Sequence, residues 1–207
     1  NFIHEPNFKT VEILKKDIWP ILRKKCPLSE LHIYGAYASE KVLQLHNPKE
    51  RFLVKGRAED ARNTVAQYRV MIAPIPFGAG AKGKFVDAMA SGTPSITTHV
   101  GAESMTESNW NGFITDDKSD FIEKCALLYR DEQLWKEKQH IGFEMFNADI
   151  ANTSYSEEMV EMVNHYKTNL HAIRKKHFIS EILLQQQINA TKYMSLWIEE
   201  KNKKAHD

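Results

Sequence analysis

The sequence predicts an α/β fold in which a parallel sheet is flanked by helices and followed by a long helical extension at the C-terminus. Three observations lead to this prediction. Short apolar runs alternate with helical patterns, which is typical of parallel sheets with crossover helices. A glycine-rich loop follows one of these runs and opens a helix. Apolar residues then recur at helical spacing over the last part of the chain.

Composition limits the classes of protein that the chain can belong to. It has 207 residues, of which 42% are hydrophobic, and this is enough for one domain with a substantial core. The net charge of +1 excludes a strongly basic surface for nucleic acid. No apolar run reaches the roughly 18 residues of a membrane-spanning helix, so we expect no transmembrane segment. The only cysteines, Cys26 and Cys125, have no paired spacing, which favours a reducing, cytoplasmic location.

The first residues read as the end of a strand and the start of a helix. In NFIHEPN, Asn7 is expected to cap a helix from about Phe8 to Lys25, which Pro20 kinks or ends early. The earlier residues of that strand are not in the sequence. We therefore expect the chain to be the C-terminal half of a two-domain protein.

The following elements bring three loops to one edge of the predicted sheet. The runs LHIYGA, FLVKG and VMIAP are expected strands, with a helix over residues 61–67 before the third. Ligands of open parallel sheets bind beyond the carboxyl ends of the strands. The loops that should meet there are His4–Asn7, Gly56–Asp60 and Pro76–Lys84. His4 is a weak candidate for the site, because a lone histidine is more often structural or merely exposed.

The last of these loops has the features of a phosphate site. Gly78, Gly80 and Gly83 let the backbone approach a ligand closely, and the helix that follows begins with amide groups that lack partners within the helix. Lys82 and Lys84 lie in the loop or the first helical turn, where the helix dipole disfavours a cation unless a stronger negative charge is near. This conflict predicts a phosphate ligand.

Asp87 lies on the same helix and is the candidate for binding ribose. A carboxylate in this position can accept hydrogen bonds from both ribose hydroxyls. The alternative is that Lys84 and Asp87, three residues apart, form only a surface ion pair. The position of the glycines between an apolar strand and a helix favours the phosphate and ribose site.

The remaining features of the chain are a long helix and the lack of metal-binding patterns. Apolar residues at helical spacing predict an amphipathic helix from His177 to Lys204, and we place the domain boundary between residues 1–174 and 175–207. We expect this helix to pack on protein, with a membrane surface as the alternative. No histidine pair has the i, i+4 spacing of a metal site, and no D-x-D segment occurs.

The stretch GAGAKGKFVDAMASGTPSITT resembles the donor-site segment of retaining glycosyltransferases of the GT-B architecture, also described as glycosyl transferases group 1 or family 4-like. The resemblance covers about residues 1–168. It implies a Rossmann-like domain, the C-terminal half of a GT-B fold, whose Asp87 holds the ribose of a nucleotide sugar. Many relatives carry an acidic residue eight positions earlier, where this chain has Ala79. The carboxylate that would contact the transferred sugar is therefore missing.

The same resemblance implies roles for the other site residues. Lys82 and Lys84 would act in catalysis by stabilising the diphosphate leaving group without a metal or other cofactor. Gly101 and Ala102 would offer backbone amides near the donor sugar, and Gly56 with Arg57 would lie beside the base. The alternative for the last pair is a strand-ending glycine and an arginine that pairs with Glu59 or Asp60.

The function implied is transfer of a hexosyl group from a UDP- or GDP-sugar to a saccharide or lipid-linked acceptor, with retention of configuration. We expect an enzyme of polysaccharide biosynthesis that is inactive as this fragment, because the acceptor domain lies upstream. Its location would be cytoplasmic, with peripheral attachment at the inner face of the membrane. Two alternatives stay open: a non-catalytic nucleotide-binding module, and a sugar-nucleotide epimerase of the same architecture.

Overall fold

A computed structural model describes residues 1–105, 109–150 and 154–203. The chain divides into two compact units, Asn1–Ala151 and Asn152–Asp207. The division of the chain at residues 174 and 175 stays a prediction.

The first unit alternates helices and strands, as the sequence predicted. Its strands are β1 (Leu31–Tyr34), β2 (Phe52–Gly56), β3 (Met71–Ala73), β4 (Ser95–Thr97) and β5 (Gly112–Ile114). Its helices are α1 (Glu5–Ile13), α2 (Trp19–Lys25), α3 (Glu40–Leu43), α4 (Ala61–Val65), α5 (Gly83–Ala90), α6 (His99–Ala102), α7 (Lys118–Arg130) and α8 (Glu132–Met145). Short π-helical or 3₁₀ turns lie at Leu14–Ile18, Pro48–Glu50 and Phe146–Ile150. The predicted α/β class with parallel strands and flanking helices is confirmed.

All the described strand pairs are parallel, and they form two sheets. β1 pairs with β2, whereas β3, β4 and β5 form a three-stranded sheet in that order. Among the residues that the structure describes, no ladder of backbone hydrogen bonds joins β1 to β3. Residues of both strands line one cavity of about 440 Å³.

The first helix begins earlier than the sequence suggested. The expectation that Asn7 caps a helix from Phe8 is wrong, because α1 starts at Glu5 after His4, with Pro6 in its first turn, where a missing N–H costs nothing. A π-helical turn at Leu14–Ile18 follows, just before Pro20. Proline frees the carbonyl group one turn before it and clashes with that turn, so the wider turn lets the helix continue into α2.

A buried aromatic pair holds α5 against the three-stranded sheet. Phe85 on α5 contacts Trp110 edge to face, with ring centroids 5.0 Å apart, and the Trp110 indole N–H donates to the Ser95 carbonyl. Such pairs contribute about 0.5–1.5 kcal/mol beyond the area that they bury. Since Lys84 precedes Phe85, this packing fixes the start of α5 relative to the ends of the strands.

The second unit consists of α9 (Ser154–Lys176) and α10 (Phe178–Lys203). α10 agrees closely with the helix that the sequence predicted there. Large apolar side chains of both helices are exposed, among them Tyr155, Met159, Tyr193 and Trp197. In the described part of the chain, no helix has the combined length and apolarity that crossing a membrane requires.

Gly112 is required by close packing between β5 and β4. A Cβ atom at this position would lie 1.8 Å from the Ser95 carbonyl oxygen. That oxygen belongs to the backbone of a buried strand, so it cannot move away alone. Gly83 is the opposite case, because a Cβ atom there would have no neighbour within 4 Å.

We expect Gly112→Ala to lower the free energy of unfolding by about 3 kcal/mol or more, since the two strands must separate to admit the methyl group. The matched control is Gly83→Ala, which should change it by no more than about 1 kcal/mol. Urea unfolding followed by circular dichroism gives both values. Equal midpoints for the two variants would show that the close approach at Gly112 is not a constraint.

Candidate nucleotide-binding site

The predicted loops meet at the carboxyl ends of β1, β2 and β3. A cavity of about 440 Å³ opens there, and its lining includes Asn7, Arg57, Lys84 and Asp87. Gly78 lies near the first of these loops, since a Cβ atom on it would be 3.6 Å from a ring carbon of Pro6. The structure therefore brings the three loops to one site, as expected from the position of ligands in parallel sheets.

The glycine-rich loop has backbone conformations that favour glycine. Gly78 and Gly80 have φ angles of +129° and +76°, which other residues adopt only with strain. α5 starts directly after Lys82, and no side chain caps its first amide groups. Eight residues of helix then direct their amide dipoles toward the loop. An anion at this end of α5 would interact favourably with them.

Lys84 faces the cavity and has a neutral partner. Its Nζ donates to the Asn7 side-chain oxygen at 2.9 Å. Burial lowers the pKa of Lys84 below its usual value of 10.5, and the nearby Lys82 ammonium lowers it further. No ion pair of Lys84 with a carboxylate is found among the described residues. The site thus holds a largely buried cation without a counter-charge.

Lys82 has a different environment. Its Nζ donates to the Val100 carbonyl at 2.6 Å and lies 3.6 Å from a carboxylate oxygen of Glu103. The side chain is 11% exposed. These contacts join the glycine-rich loop to α6 and to the residue that follows it. Lys82 therefore orders the loop in addition to adding positive charge near Lys84.

Asp87 pairs with an arginine and not with Lys84. The Arg62 Nε donates to Asp87 Oδ1 at 3.3 Å, and Arg62 is more than half exposed. The predicted alternative of a surface ion pair between Lys84 and Asp87 is therefore not what the structure shows. Exposed ion pairs are weak, about 0–1 kcal/mol, so a ribose could displace Arg62 from the carboxylate at small cost.

Gly56 and Arg57 lie at the end of β2. Gly56 has a φ angle of +77°, and its carbonyl accepts the Gly35 N–H at 2.8 Å, which joins the ends of β1 and β2. Arg57 is exposed and borders the cavity. Within the described residues, Arg57 makes no ion pair with Glu59 or Asp60. Asp60 caps α4 by accepting the Asn63 N–H at 2.7 Å.

Gly101 and Ala102 are buried in the first turn of α6, and their amide groups have partners. The N–H of Gly101 donates to Thr98 Oγ1 at 3.1 Å, and that of Ala102 donates to the Thr98 carbonyl at 3.1 Å. A Cβ atom on Gly101 would lie 1.8 Å from Thr97 Oγ1. Gly101 therefore lets α6 pack directly against β4.

His4 and Ala79 complete the residues that the sequence analysis named. His4 is exposed in the position before α1, and its carbonyl accepts the Asn7 N–H at 3.0 Å. Ala79 is exposed in the glycine-rich loop. Neither side chain contributes a charge to the cavity.

Sequence reasoning missed three contacts of the site. Asn7 was expected only as a helix cap, yet its side chain binds Lys84. Arg62 and the Val100 carbonyl were not considered, although they bind Asp87 and Lys82. The order of elements places Arg62 on a helix that ends near α5, but no local sequence signal marks it. A backbone carbonyl carries no signal at all.

The described residues contain no group of three or more histidine, cysteine, aspartate or glutamate side chains that could hold a metal ion. The positive charge of the site comes from Lys82, Lys84, Arg57 and the start of α5.

Solved structures of glycosyltransferases share this fold. A mutant of TarM from S. aureus, in complex with Fondaparinux, alpha-GlcNAc-glycerol and UDP, has a TM-score of 0.64 at 20% sequence identity. That match covers 74% of this chain and 32% of TarM. The pneumococcal O-GlcNAc transferase GtfA, in complex with UDP and GlcNAc, has a TM-score of 0.59 at 22% identity and covers 75% of this chain and 33% of GtfA. The chain spans about a third of the length of these proteins.

A comparison with curated protein sequences found no match. The sequence profile described as Glycosyl transferases group 1 matches residues 1–131, which is more than half of the chain. These residues include α1–α7, all five strands and every side chain of the site described above. The chain therefore belongs to the glycosyl transferases group 1 family.

Proposed function

We propose that this chain is the donor-binding part of a glycosyltransferase that transfers a hexosyl group from a nucleotide sugar to a saccharide or lipid-linked acceptor, with retention of configuration and without a metal. The observation that carries the proposal is Lys84, a largely buried ammonium with a neutral partner at the mouth of the sheet. Burying a cation is costly unless an anion compensates it. A diphosphate next to the start of α5 would provide that anion.

Each site residue has a place in this proposal. Lys84 contacts the diphosphate directly and stabilises it as it leaves, and Lys82 adds charge from beside α6. The Asp87 carboxylate releases Arg62 and accepts hydrogen bonds from the two ribose hydroxyls. Arg57 lies over the base. Gly56 gives the base access to the backbone at the end of β2.

Five further residues border the donor in this proposal. Gly78 and Gly80 bring the backbone of the loop close to the phosphates. Since the amide groups of Gly101 and Ala102 have partners, they contribute the close packing of α6 beside the donor sugar, and not hydrogen bonds. His4 borders the site from the start of α1.

The choice of nucleotide follows from the structural neighbours. The structures of TarM and GtfA named above contain UDP. We therefore propose a uridine nucleotide as the donor, with guanosine nucleotides as the comparison in each experiment. The acceptor site and the residues that act as acid or base belong to an N-terminal domain outside this sequence. The proposed location is the cytoplasm.

A second candidate function is a module that binds the nucleotide but transfers nothing. Ala79 favours it, because the position carries a methyl group where many relatives have a carboxylate. Both functions require nucleotide binding, so the binding experiments below test the site that they share. Transfer by the full-length protein, measured with UDP-sugars and saccharide acceptors, separates them.

We expect Lys84→Met to weaken UDP binding by about 10- to 100-fold, since a hydrogen bond between charged groups contributes about 1.5–3 kcal/mol. The same substitution should raise the melting temperature without ligand, because it removes the cost of burying the ammonium. Calorimetric titration and thermal unfolding measure the two effects. Lys118→Met is the matched control, because Lys118 forms an exposed pair with Asp17.

Opposite shifts in affinity and stability distinguish a binding role of Lys84 from a structural one. If Lys84→Met lowered the melting temperature and left the affinity for UDP unchanged, Lys84 would serve the fold and the proposal would lose its main support. Lys118→Met should change neither quantity beyond about 0.5 kcal/mol.

Asp87 should distinguish ribose from deoxyribose. We expect the wild-type protein to bind UDP about tenfold more tightly than 2′-deoxy-UDP, because the deoxy compound leaves one carboxylate oxygen without its hydrogen bond. In Asp87→Asn, the ratio of the two affinities should fall toward one. The matched control is Asp120→Asn, whose side chain pairs with Lys124 on α7. A ratio that stays unchanged in Asp87→Asn would place the ribose elsewhere.

The lowered pKa of Lys84 predicts a dependence on pH. In the folded protein this pKa lies below 10.5, so between the two values the unfolded chain binds more protons and stability rises with pH. The stability advantage of Lys84→Met should therefore be largest at neutral pH and shrink as the pH approaches 10.5. Urea unfolding of the wild type and of Lys84→Met across this pH range gives the difference between their free energies of unfolding. The contributions of the other titrating groups cancel in this difference.

UDP should raise the pKa of Lys84 again, because a diphosphate favours the charged form of its side chain. Binding to the wild-type protein should then take up protons at alkaline pH and weaken as the pH rises. Titration calorimetry in two buffers with different ionisation enthalpies measures the uptake. Uptake by Lys84→Met equal to that of the wild type would assign the protons to another group.

A further inference from the structure

The side chain of Asn7 uses both ends of its amide group. Its oxygen accepts a hydrogen bond from Lys84 Nζ at 2.9 Å, and its nitrogen donates to the Asn1 carbonyl at 2.7 Å. An ammonium group can only donate and a carbonyl oxygen can only accept, so no other orientation of the amide satisfies both partners. The amide plane of Asn7 is therefore fixed from two sides.

The two partners of Asn7 belong to different parts of the site. Lys84 lies at the start of α5, which packs on the three-stranded sheet. Asn1 precedes Phe2, whose N–H donates to the Ala36 carbonyl at 3.0 Å, just beyond the end of β1. Asn1, Asn7 and Lys84 all line the cavity of about 440 Å³. Asn7 thus joins the start of α5 to the loop that follows β1, at the edge of the cavity.

Other lysines of this protein with little exposure have a carboxylate as their partner. Lys15 is 16% exposed and lies 2.6 Å from a Glu50 oxygen, and Lys138 is 18% exposed and lies 3.1 Å from a Glu137 oxygen. A carboxylate compensates a buried ammonium more fully than an amide does. An aspartate in position 7 would have the shape of asparagine and would add that charge. The sequence has the neutral residue at a position from which a carboxylate would neutralise Lys84.

A neutral partner leaves the charge of Lys84 to a ligand. An ammonium group carries three donors, of which Asn7 takes one. A carboxylate at position 7 would lie within about 6 Å of a phosphate oxygen bound to Lys84, since each of the two contacts spans about 3 Å. Like charges at that distance repel strongly in a partly buried site. The neutrality of Asn7 therefore matters as much as its hydrogen bond.

We propose that Asn7 is a positioning residue for the donor, which holds the Lys84 ammonium in place and, by its neutrality, keeps that charge available for the diphosphate. This role rests on the proposed binding of a nucleotide sugar at the site. It adds a determinant of specificity, because the amide of Asn7 and the ammonium of Lys84 together favour a phosphate over an uncharged ligand.

Two substitutions of Asn7 separate its hydrogen bond from its neutrality. Asn7→Asp keeps the acceptor oxygen and adds a charge, whereas Asn7→Leu has a similar volume and no acceptor. We expect Asn7→Asp to weaken UDP binding by about tenfold or more, because the carboxylate repels the diphosphate. Asn7→Leu should weaken it by only about threefold, through the loss of one neutral hydrogen bond. A purely structural role predicts the opposite order, because aspartate preserves more of the native contacts than leucine. Titration calorimetry measures both affinities.

The comparison of UDP with uridine makes the test specific for phosphate. The affinity for uridine, measured by NMR titration, should change by no more than about twofold in either variant, because uridine has no charge to attract or repel. The matched control is Asn47→Asp. Asn47 accepts the Glu50 N–H at 3.3 Å and pairs with Phe52 at the amino end of β2, opposite to the site. This variant adds the same charge and should leave the affinity for UDP within about twofold of the wild type.

The contact between Asn7 and Lys84 is tested without nucleotide. Urea unfolding of Asn7→Asp, Lys84→Met and the double variant gives the coupling between the two positions. We expect Asn7→Asp to be less favourable for stability in Lys84→Met than in the wild type, with a lower unfolding midpoint, because the carboxylate then has no ammonium as its partner. An equal effect in both backgrounds would show that the two side chains are not in contact and would overturn the proposal.

Failure of this role and failure of the donor site give different results. If the wild type binds UDP, and Asn7→Asp binds it as tightly as Asn7→Leu or more tightly, the neutrality of Asn7 is unimportant and only its proposed role is overturned. Equal losses of affinity for UDP and uridine would overturn it as well, since they would indicate a change of the fold. If the wild type binds neither UDP nor GDP, the donor site fails and the role of Asn7 fails with it.

Discussion

The charge of Lys84 is the constraint on which the functional site depends. Two contacts contribute to its position: Asn7 on α1 accepts its hydrogen bond, and Phe85 anchors the helix on which it lies. Neither contact neutralises the ammonium. The fold therefore maintains a positive centre at the end of a helix whose own dipole opposes it, and this cost is consistent with a site selected for anion binding and not for stability.

The rest of the first unit supports this arrangement through backbone proximity. Gly112 and Gly101 remove side chains where β5 and α6 approach β4, so the three-stranded sheet and α6 stay close together. The Gly56 carbonyl accepts the Gly35 N–H and so joins the ends of β1 and β2. Parallel strands then direct their carboxyl ends, and with them the loops, to the same edge. The chemistry of the site is carried by loops, whereas its geometry is set by these close backbone contacts.

The sequence was sufficient for the fold class and for the family, because both depend on patterns that are local along the chain. Alternating strands and helices, and the run from Gly78 to Thr98, can be recognised without knowing what they contact. The start of α1 was missed because Pro6 and Glu5 favour an earlier start than the Asn7 cap suggested. The partners of the site residues could not be found in this way. Asn7 and Lys84 are 77 positions apart, and their contact depends on the packing of the whole sheet.

The contacts of Lys82 order the glycine-rich loop, whose composition favours many backbone conformations. Glycine residues lose more conformational freedom on ordering than any others, and three of them lie within six residues here, at positions 78, 80 and 83. The bond from Lys82 to the Val100 carbonyl, with Glu103 beside it, fixes the end of this stretch to α6 in the absence of any ligand. The entropy of ordering the loop is thus part of the folding free energy, and a phosphate that bound as proposed would not have to order this end of the loop again.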